Sequence, residues 1–234
     1  SAPGSLTAVG NTLYFQATDG TNGSELWKSD GTASGTVMVK DINSGSASIS
    51  VNYLTAVGNT LYFQAYDGTN GYELWKSDGT ASGTVMVKNI APGSYNSFPS
   101  YLTAVGNTLY FSAEDYYLGG ELWKSDGTAN GTVMVKDIRS GSGSSSPQYL
   151  TAVGNTLYFQ ASDGTNGAEL WKSDGTASGT VMVKDIRSGS GHSYLGDLTV
   201  FGNPLYFQAN DGTNGAELWK SDGTASGTVM VKNI

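Results

Sequence analysis

The sequence predicts an all-β protein made of five similar sheets, and three observations carry this prediction. First, the run Glu-Leu-Trp-Lys-Ser-Asp-Gly-Thr that begins at Glu25 returns every 48 residues, at Glu73, Glu121, Glu169 and Glu217. Second, 33 glycines and only 14% charged residues suit short strands joined by tight turns. Third, no segment keeps a 3.6-residue period long enough for a helix. Repeats that cannot bury their own apolar faces stack on copies of themselves.

Each unit contains four strand-like runs. In the first unit they lie at 6–9, 13–17, 25–28 and 36–42. The turn segments between them are rich in Gly, Asn and Asp, which accept positive φ or cap a turn. Four consecutive strands with such turns predict an antiparallel meander.

The unit restarts every 48 residues, so the chain holds five units. They span 6–42, 54–90, 102–138, 150–186 and 198–234. Connectors of 11 residues join them, long enough to carry the chain from the outer edge of one sheet to the inner edge of the next. This is the wiring of a β-propeller. We therefore predict a single five-bladed β-propeller domain over 1–234, with the first strand of each blade innermost.

The turns also predict the register of the strands. If the third turn pairs Lys28 with Val37, then Trp27 faces Met38, and the second turn pairs Phe15 with Trp27. Alternation then gives each blade two apolar faces, as sheets packed between two neighbours require. One face carries Leu13, Phe15, Trp27 and Met38; the other carries Tyr14, Leu26, Val37 and Val39.

Composition excludes several classes of partner and chemistry. The net charge is −8, and the 12 basic residues form no clustered stripe, so nucleic acid is not an expected partner. Zero Cys excludes disulfides and thiolate chemistry, but it fits secreted and cytosolic proteins equally. No apolar run approaches about 18 residues, so we expect no membrane insertion. No cofactor or metal is predicted, and composition leaves the location open.

The repeat unit resembles a known family of sequences. Glu-Leu-Trp-x-x-Asp-Gly-Thr followed by Gly-Thr-Val and Val-Lys-Asp-Ile is similar to the ELWxxDGT repeats of bacterial, often myxobacterial, proteins, and the resemblance covers all five units. It implies an extracellular or surface-associated protein, in a family of mostly unassigned function. A weaker likeness in blade pattern is to kelch-type propellers, and the blade number resembles that of tachylectin-type sugar-binding propellers, whose motifs are absent here.

The recurring polar residues have both structural and functional interpretations. Glu25 and Lys40 could form a catalytic pair, but a cross-strand ion pair explains them more simply. Asp30 could belong to a calcium loop, yet it supplies one carboxylate where Ca²⁺ usually takes six to eight oxygens, so an Asx-capped turn is favoured. The same holds for the Asp19 loop. The five tryptophans are expected to be core residues rather than ligand platforms.

The connectors, where the repeat breaks, carry the candidate ligand-binding residues. Aromatic rings among Ser, Gly and Asn suit a sugar or polar peptide, and loops on a rigid scaffold often bind ligands. The alternative is that these rings only cover the blade ends. The candidates are Tyr53, Tyr95, Phe98, Tyr101, Tyr149, His192 and Tyr194.

A further departure from the repeat lies in the second turn of unit three, where Tyr116 and Tyr117 stand at a hairpin tip. They are either a drifted turn or a contact point for another chain. His192, the only histidine, has no acidic residue nearer than Asp197 in the sequence, so catalysis by it is not expected.

These features predict a non-catalytic structural or interaction module, and the resemblance to the ELWxxDGT repeats implies that it belongs to an extracellular protein. The alternative is a lectin-like propeller with carbohydrate sites at the connectors between blades. The unique residues form no recognisable catalytic constellation, so an enzyme is not expected. We expect a monomer, whose partner is a glycan or another protein.

Overall fold

The computed structural model describes residues 2–234; Ser1, the first residue of the predicted domain, lies outside the described residues. Within this range the chain forms twenty strands in five antiparallel four-stranded sheets, and the strands of each sheet follow one another in sequence order. The predicted all-β fold of five meanders is therefore confirmed. We number the sheets as blades 1 to 5.

The strand bounds repeat from blade to blade. Blade 1 has β1 (Gly4–Val9), β2 (Thr12–Thr18), β3 (Ser24–Ser29) and β4 (Val37–Lys40). Blade 2 has β5 (Asn52–Val57), β6 (Thr60–Tyr66), β7 (Tyr72–Ser77) and β8 (Val85–Lys88). Blade 3 has β9 (Ser100–Val105), β10 (Thr108–Asp115), β11 (Gly119–Ser125) and β12 (Val133–Lys136). Blade 4 has β13 (Gln148–Val153), β14 (Thr156–Ser162), β15 (Ala168–Ser173) and β16 (Val181–Lys184). Blade 5 has β17 (Gly196–Val200), β18 (Leu205–Asn210), β19 (Ala216–Ser221) and β20 (Val229–Lys232).

The register confirms most of the predicted pairings within a blade. Phe15 lies opposite Trp27, and Trp27 lies opposite Met38, so these three side chains share one face. A β-bulge then shifts the register, and Lys40 pairs with Leu26 instead of Glu25. The predicted pairing of Glu25 with Lys40 is therefore wrong, because a bulge cannot be read from alternation alone.

The chain divides into two compact units, which are larger than the 48-residue repeats and are called the first and the second unit from here on. The first holds blades 1 and 2 with part of blade 3, and the second holds the rest of blade 3 with blades 4 and 5. We call the side of each blade that carries Tyr14, Leu26 and Val39 or their copies the forward face. The opposite side, which carries Leu13, Phe15, Trp27 and Met38 or their copies, is the rear face.

The core of each unit forms where a forward face packs on a rear face. In the first unit the forward face of blade 1 packs on Leu61, Phe63 and Trp75 of blade 2. In the second unit the forward face of blade 4 packs on Leu205, Phe207 and Trp219 of blade 5. Each buried indole removes roughly 150–250 Å² from water, so these aromatic contacts dominate the packing. The prediction that the tryptophans are core residues is confirmed for Trp75, Trp123, Trp171 and Trp219, which are buried, whereas Trp27 is half-buried.

Two details concern the edges of the blades. Val37 and its four copies are each at least 36% exposed, so the prediction that Val37 lies on a buried face is wrong. It begins the edge strand of its sheet, and the buried part of the forward face starts at Val39. At the other edge the Thr7 hydroxyl donates to the Leu54 carbonyl, and the Thr55 hydroxyl donates to the Leu102 carbonyl, so the first strands of blades 1, 2 and 3 meet. Within residues 2–234 no helix has the length and hydropathy of a membrane span.

Candidate functional site

The recurring lysines connect successive blades. Lys28 Nζ donates to the Gly79 carbonyl at 2.8 Å, and Lys40 Nζ donates to the Thr84 carbonyl at 2.8 Å. Lys40 also lies over the Trp75 ring, 6.0 Å from its centroid. The Lys of each of the first four Glu-Leu-Trp-Lys-Ser-Asp-Gly-Thr runs therefore binds the Asp-Gly-Thr turn of the next run. The same bond joins Lys76 to Gly127 in the first unit, and Lys124 to Gly175 and Lys172 to Gly223 in the second.

A tyrosine of the forward face lies beside the same turn. Burial raises the pKa of Tyr14, and the negative charge of Asp78 on the next blade raises it further. The pKa values of Tyr62, Tyr110 and Tyr158 are raised by the same two causes. The run that dominates the sequence is therefore an element of blade packing.

The recurring glutamates fasten each connector to its blade. Glu73 is fully buried and accepts hydrogen bonds from the Ile90 and Ala91 amides and from the Ser97 hydroxyl, the last at 2.7 Å. Glu25 is also buried and accepts from the Ile42 amide at 2.9 Å. Burial raises the pKa of Glu25, Glu73 and Glu169 to about 7, and it raises the pKa of Glu121 as well. These carboxyls hold backbone amides, which explains them without a lysine partner.

The acidic loops are Asx-capped turns, as predicted. Asp30 Oδ1 accepts from the amide and the hydroxyl of Thr32, at 2.9 and 2.7 Å. Asp19 accepts from the Thr21 and Asn22 amides. Hydrogen bonds from Thr32 lower the pKa of Asp30. Across the described part of the chain, no group of three or more His, Cys, Asp or Glu residues has a geometry that could hold a metal ion.

An aromatic cluster lies where blade 2 and its connector depart from the repeat. The Tyr66 and Tyr72 ring centroids are 5.5 Å apart, and Phe98 stacks on Tyr72 at 5.6 Å. Tyr95 lies 4.5 Å from Tyr116 by the same measure. All five belong to the first unit. We call these five side chains the aromatic patch.

Local sequence explains how the patch is assembled. Tyr66 and Tyr72 are a cross-strand pair at the end of the β6–β7 hairpin, where blade 1 has the small polar pair Thr18 and Ser24. Asn96 Oδ1 accepts from the Tyr72 amide at 2.9 Å, and this bond anchors the connector to the hairpin.

Two further contacts fix the connector. The Ser97 carbonyl accepts from the Glu114 amide of β10 at 2.7 Å, which attaches it to the next blade. On the other side, Gly71 has a φ of 75° and lies against the Tyr95 carbonyl, so that any Cβ there would collide with this backbone. The connector is thus held on both sides, and its aromatic rings are presented by a fixed backbone.

The patch contains three of the predicted residues and two that the prediction missed. Tyr95 and Tyr116 were predicted and contact each other, and Phe98, also predicted, stacks on Tyr72. Tyr66 and Tyr72 were not predicted, although replacing Thr18 and Ser24 of blade 1 by two tyrosines is a visible break in the repeat. Tyr117, the other predicted contact residue, is 71% exposed and belongs to the second unit.

Tyr53, Tyr101 and Tyr149 occupy equivalent positions on three different blades, one repeat apart. Each has a φ between 55 and 57°, in the left-handed region that non-glycine residues rarely adopt. A β-bulge in the first strand contains this position in blades 2 and 4, and bulges re-aim side chains. All three rings are more than a third exposed.

His192 and Tyr194 form a smaller group in the second unit. Their rings are 5.8 Å apart, and the Arg187 guanidinium lies 5.9 Å from the Tyr194 centroid. His192 Nδ1 accepts a hydrogen bond from the Ala168 amide at 2.9 Å. Asn96, at the equivalent position two blades earlier, accepts from the Tyr72 amide in the same way. This histidine therefore has a structural role as a backbone acceptor.

Comparison with known proteins supports the fold and assigns no family. The sequence matches no protein-family model and no curated protein sequence. Among solved structures it is similar to the computationally designed Ika8 protein, with a TM-score of 0.53 and 19% identity over 98% of this chain and 61% of that one. It is also similar to puromycin hydrolase, with a TM-score of 0.64 and 13% identity over 99% of this chain and 38% of that one.

A third similar structure is the β-propeller domain of the Trilobed protease from Pyrococcus furiosus. The TM-score is 0.54 with 10% identity, over 98% of this chain and 70% of that one. The chain thus spans less than two thirds of the length of Ika8 and of puromycin hydrolase. At these identities the likeness shows a β-propeller fold and carries no function.

Proposed function

We propose that this protein is a non-catalytic interaction module whose binding surface is the aromatic patch. One observation carries the proposal: where the repeat is broken, five aromatic side chains from two hairpins and one connector form two contacting groups, one of Tyr66, Tyr72 and Phe98 and one of Tyr95 and Tyr116. Tyr95, Phe98 and Tyr116 are 54, 46 and 55% exposed, so about half of each ring is accessible. Exposed apolar clusters on a rigid frame are typical of interaction surfaces.

The non-catalytic part of the proposal is supported by what the recurring polar groups do. Glu73 and its buried copies bind connector amides, Asp30 and its copies cap turns, and Lys28 and its copies bind the next blade. His192 binds a backbone amide. The resemblance to bacterial ELWxxDGT repeats supports an extracellular or surface-associated location.

Besides another protein, a carbohydrate is a candidate partner of the aromatic patch, and the chemistry of the patch favours it. The rings offer apolar faces, while the tyrosine hydroxyls offer polar groups for hydrogen bonds. Amphipathic rings with a few polar groups suit ligands that have apolar and hydroxylated sides.

A glycan array followed by calorimetry tests the carbohydrate candidate. The wild-type chain is expected to bind a glycan saturably, and the Tyr95→Ala/Phe98→Ala double variant is expected to lose that binding. The matched control is Tyr53→Ala/Tyr149→Ala, which removes two exposed tyrosines outside the patch and should leave binding unchanged. Glycan binding that survives in the double variant and is lost in the control would assign the site to the bulged tyrosines instead.

Selection from a random peptide library tests the broader proposal. Peptides selected on the wild-type chain should lose affinity at least tenfold for the Tyr95→Ala/Phe98→Ala variant, since truncating a central aromatic contact costs more than about 2 kcal/mol at many interfaces. If neither glycans nor peptides distinguish the double variant from the wild type, the patch is not a binding surface.

A further inference from the structure

The forward face of blade 5 is exposed, although its sequence matches the buried forward faces of the other blades. Leu218 is 42% exposed, whereas its copies Leu26, Leu74, Leu122 and Leu170 are fully buried. Val231 is 45% exposed, and its copies are at most 7% exposed. A groove of about 600 Å³ lies on this face, with Tyr206, Leu218 and Ile234 in its walls.

The rear face of blade 1 is exposed in the same way. Leu13 is 36% exposed, whereas its copy Leu61 is fully buried under the preceding blade. Thr36 is exposed, although its four copies are fully buried. The two faces therefore have the composition of a blade core and the exposure of a surface.

The exposed faces are complementary in their hydrogen-bonding groups. In each unit, the two lysines of a forward face donate to a glycine and a threonine carbonyl on the following rear face, as Lys172 does to Gly223 and Lys184 to Thr228. Blade 5 carries the equivalent donors, Lys220 and Lys232, and both are exposed. Blade 1 carries the equivalent acceptors in the carbonyls of Gly31 and Thr36, which are also exposed.

Blade 5 differs from the other forward faces at one position in a way that increases its apolar surface. Phe201 replaces the valine found at Val9, Val57, Val105 and Val153. It is 74% exposed and makes an edge contact with Tyr206, 6.0 Å between centroids. Val9 lies in the core between blades 1 and 2, so Phe201 lies where a following blade would pack.

We infer that a second copy of this chain covers these faces, with the forward face of blade 5 in one copy packed on the rear face of blade 1 in the next. The contact repeats the packing that already joins blades within each unit. Apolar leucines meet, and Lys220 and Lys232 donate to the Gly31 and Thr36 carbonyls of the next copy. Because two different faces take part, the contact is heterologous and produces closed rings or open chains. This inference does not depend on the aromatic patch.

Sedimentation velocity over a range of concentrations tests the proposed assembly, with the intact wild-type chain compared with two single variants. Leu218→Asp places a charge on the forward face of blade 5, and Leu13→Asp places one on the rear face of blade 1. Both sites are exposed in the single chain, so folding should persist, which circular dichroism checks. Val37→Asp, at an exposed position outside both faces, is the control.

The wild type and the Val37→Asp control should assemble as concentration rises, and each of the two face variants alone should stay monomeric. A mixture of Leu218→Asp with Leu13→Asp should form dimers and nothing larger, because each variant retains one competent face and these two faces are complementary. A wild-type chain that stays monomeric at all concentrations would overturn the inference. Assembly of either face variant to the wild-type extent, or a mixture that gives no dimer, would overturn it too.

Discussion

Phe63 and Phe98 are the same residue type in the same unit of the molecule, and they lie in opposite kinds of surroundings. Phe63 belongs to the repeat, has a copy in every blade and is fully buried. Phe98 lies in a connector and is 46% exposed, and the equivalent positions of the other connectors are Ser50, Ser146 and Tyr194. It also has a φ of 43°, which a phenylalanine rarely adopts.

The difference shows how this protein divides its sequence between stability and recognition. The repeated positions bind one another: forward face to rear face, lysine to turn carbonyl, glutamate to connector amide. A substitution at such a position removes one copy of a contact that recurs from blade to blade and holds the blades together. Positions that break the repeat are not bound by this requirement, and the aromatic patch is made of them.

The largest effect is expected from a change in the repeated core. Phe63→Ala should lower the free energy of unfolding by about 3–5 kcal/mol, because it removes a buried ring and leaves a cavity between blades. Chemical denaturation followed by tryptophan fluorescence measures this. A loss below about 1 kcal/mol would show that the blades do not pack as tightly as the buried positions indicate.

The buried glutamates should make stability depend on pH. The folded pKa of Glu73, about 7, lies above its ordinary value of 4.5, so the folded state binds the proton more tightly. Its contribution is fully present below about pH 4.5 and is lost as pH rises through about 7. The melting temperature should therefore fall by a few degrees between pH 5 and pH 7.5.

Glu73→Gln should reduce this pH dependence, since an amide keeps the shape without titrating. Glu114→Gln, at an exposed position, is the matched control and should leave the pH dependence unchanged. The capping aspartates act in the opposite direction: the pKa of Asp30 lies below its ordinary 3.8, so its contribution is lost as pH falls below that value. A melting temperature that rises from pH 5 to pH 7.5 would contradict the assignment of the glutamates.

A smaller effect is expected at the lysines. Lys172→Met removes the hydrogen bond to the Gly223 carbonyl and should cost about 1–2 kcal/mol. Lys220→Met changes the same residue of the same motif at the exposed face of blade 5, and in dilute solution it should change stability by less than about 0.5 kcal/mol. Equal losses in the two variants would mean that Lys220 already has a partner in the single chain.

Much of the fold could be predicted from the sequence because each local pattern, such as a turn residue or an alternation of apolar residues, occurs in five copies. The turn residues fixed the strand order, and alternation placed Phe15, Trp27 and Met38 on one face correctly. The pairing of Glu25 with Lys40 failed because a bulge adds a residue that leaves no mark in the pattern. The exposure of Val37 was missed because period-two alternation does not distinguish an edge strand from a central one.

The candidate site was predicted less completely. Tyr95, Phe98 and Tyr116 were found because they break the repeat in loops. Tyr66 and Tyr72 were missed because they lie in strands, where aromatic residues are expected for packing. The role of His192 depends on a contact with the Ala168 amide, 24 residues away, which the sequence alone does not reveal. Alignment of the five 48-residue repeats position by position would have revealed the two tyrosines.

The central claim is that repeated positions hold the fold and that the positions breaking the repeat are available for binding. The most direct test is the free energy of unfolding of Phe98→Ala, measured beside Phe63→Ala under the same conditions. The expected loss for Phe98→Ala is under about 1 kcal/mol, since its ring is half exposed and leaves no internal cavity. A loss for Phe98→Ala as large as that for Phe63→Ala would contradict the claim.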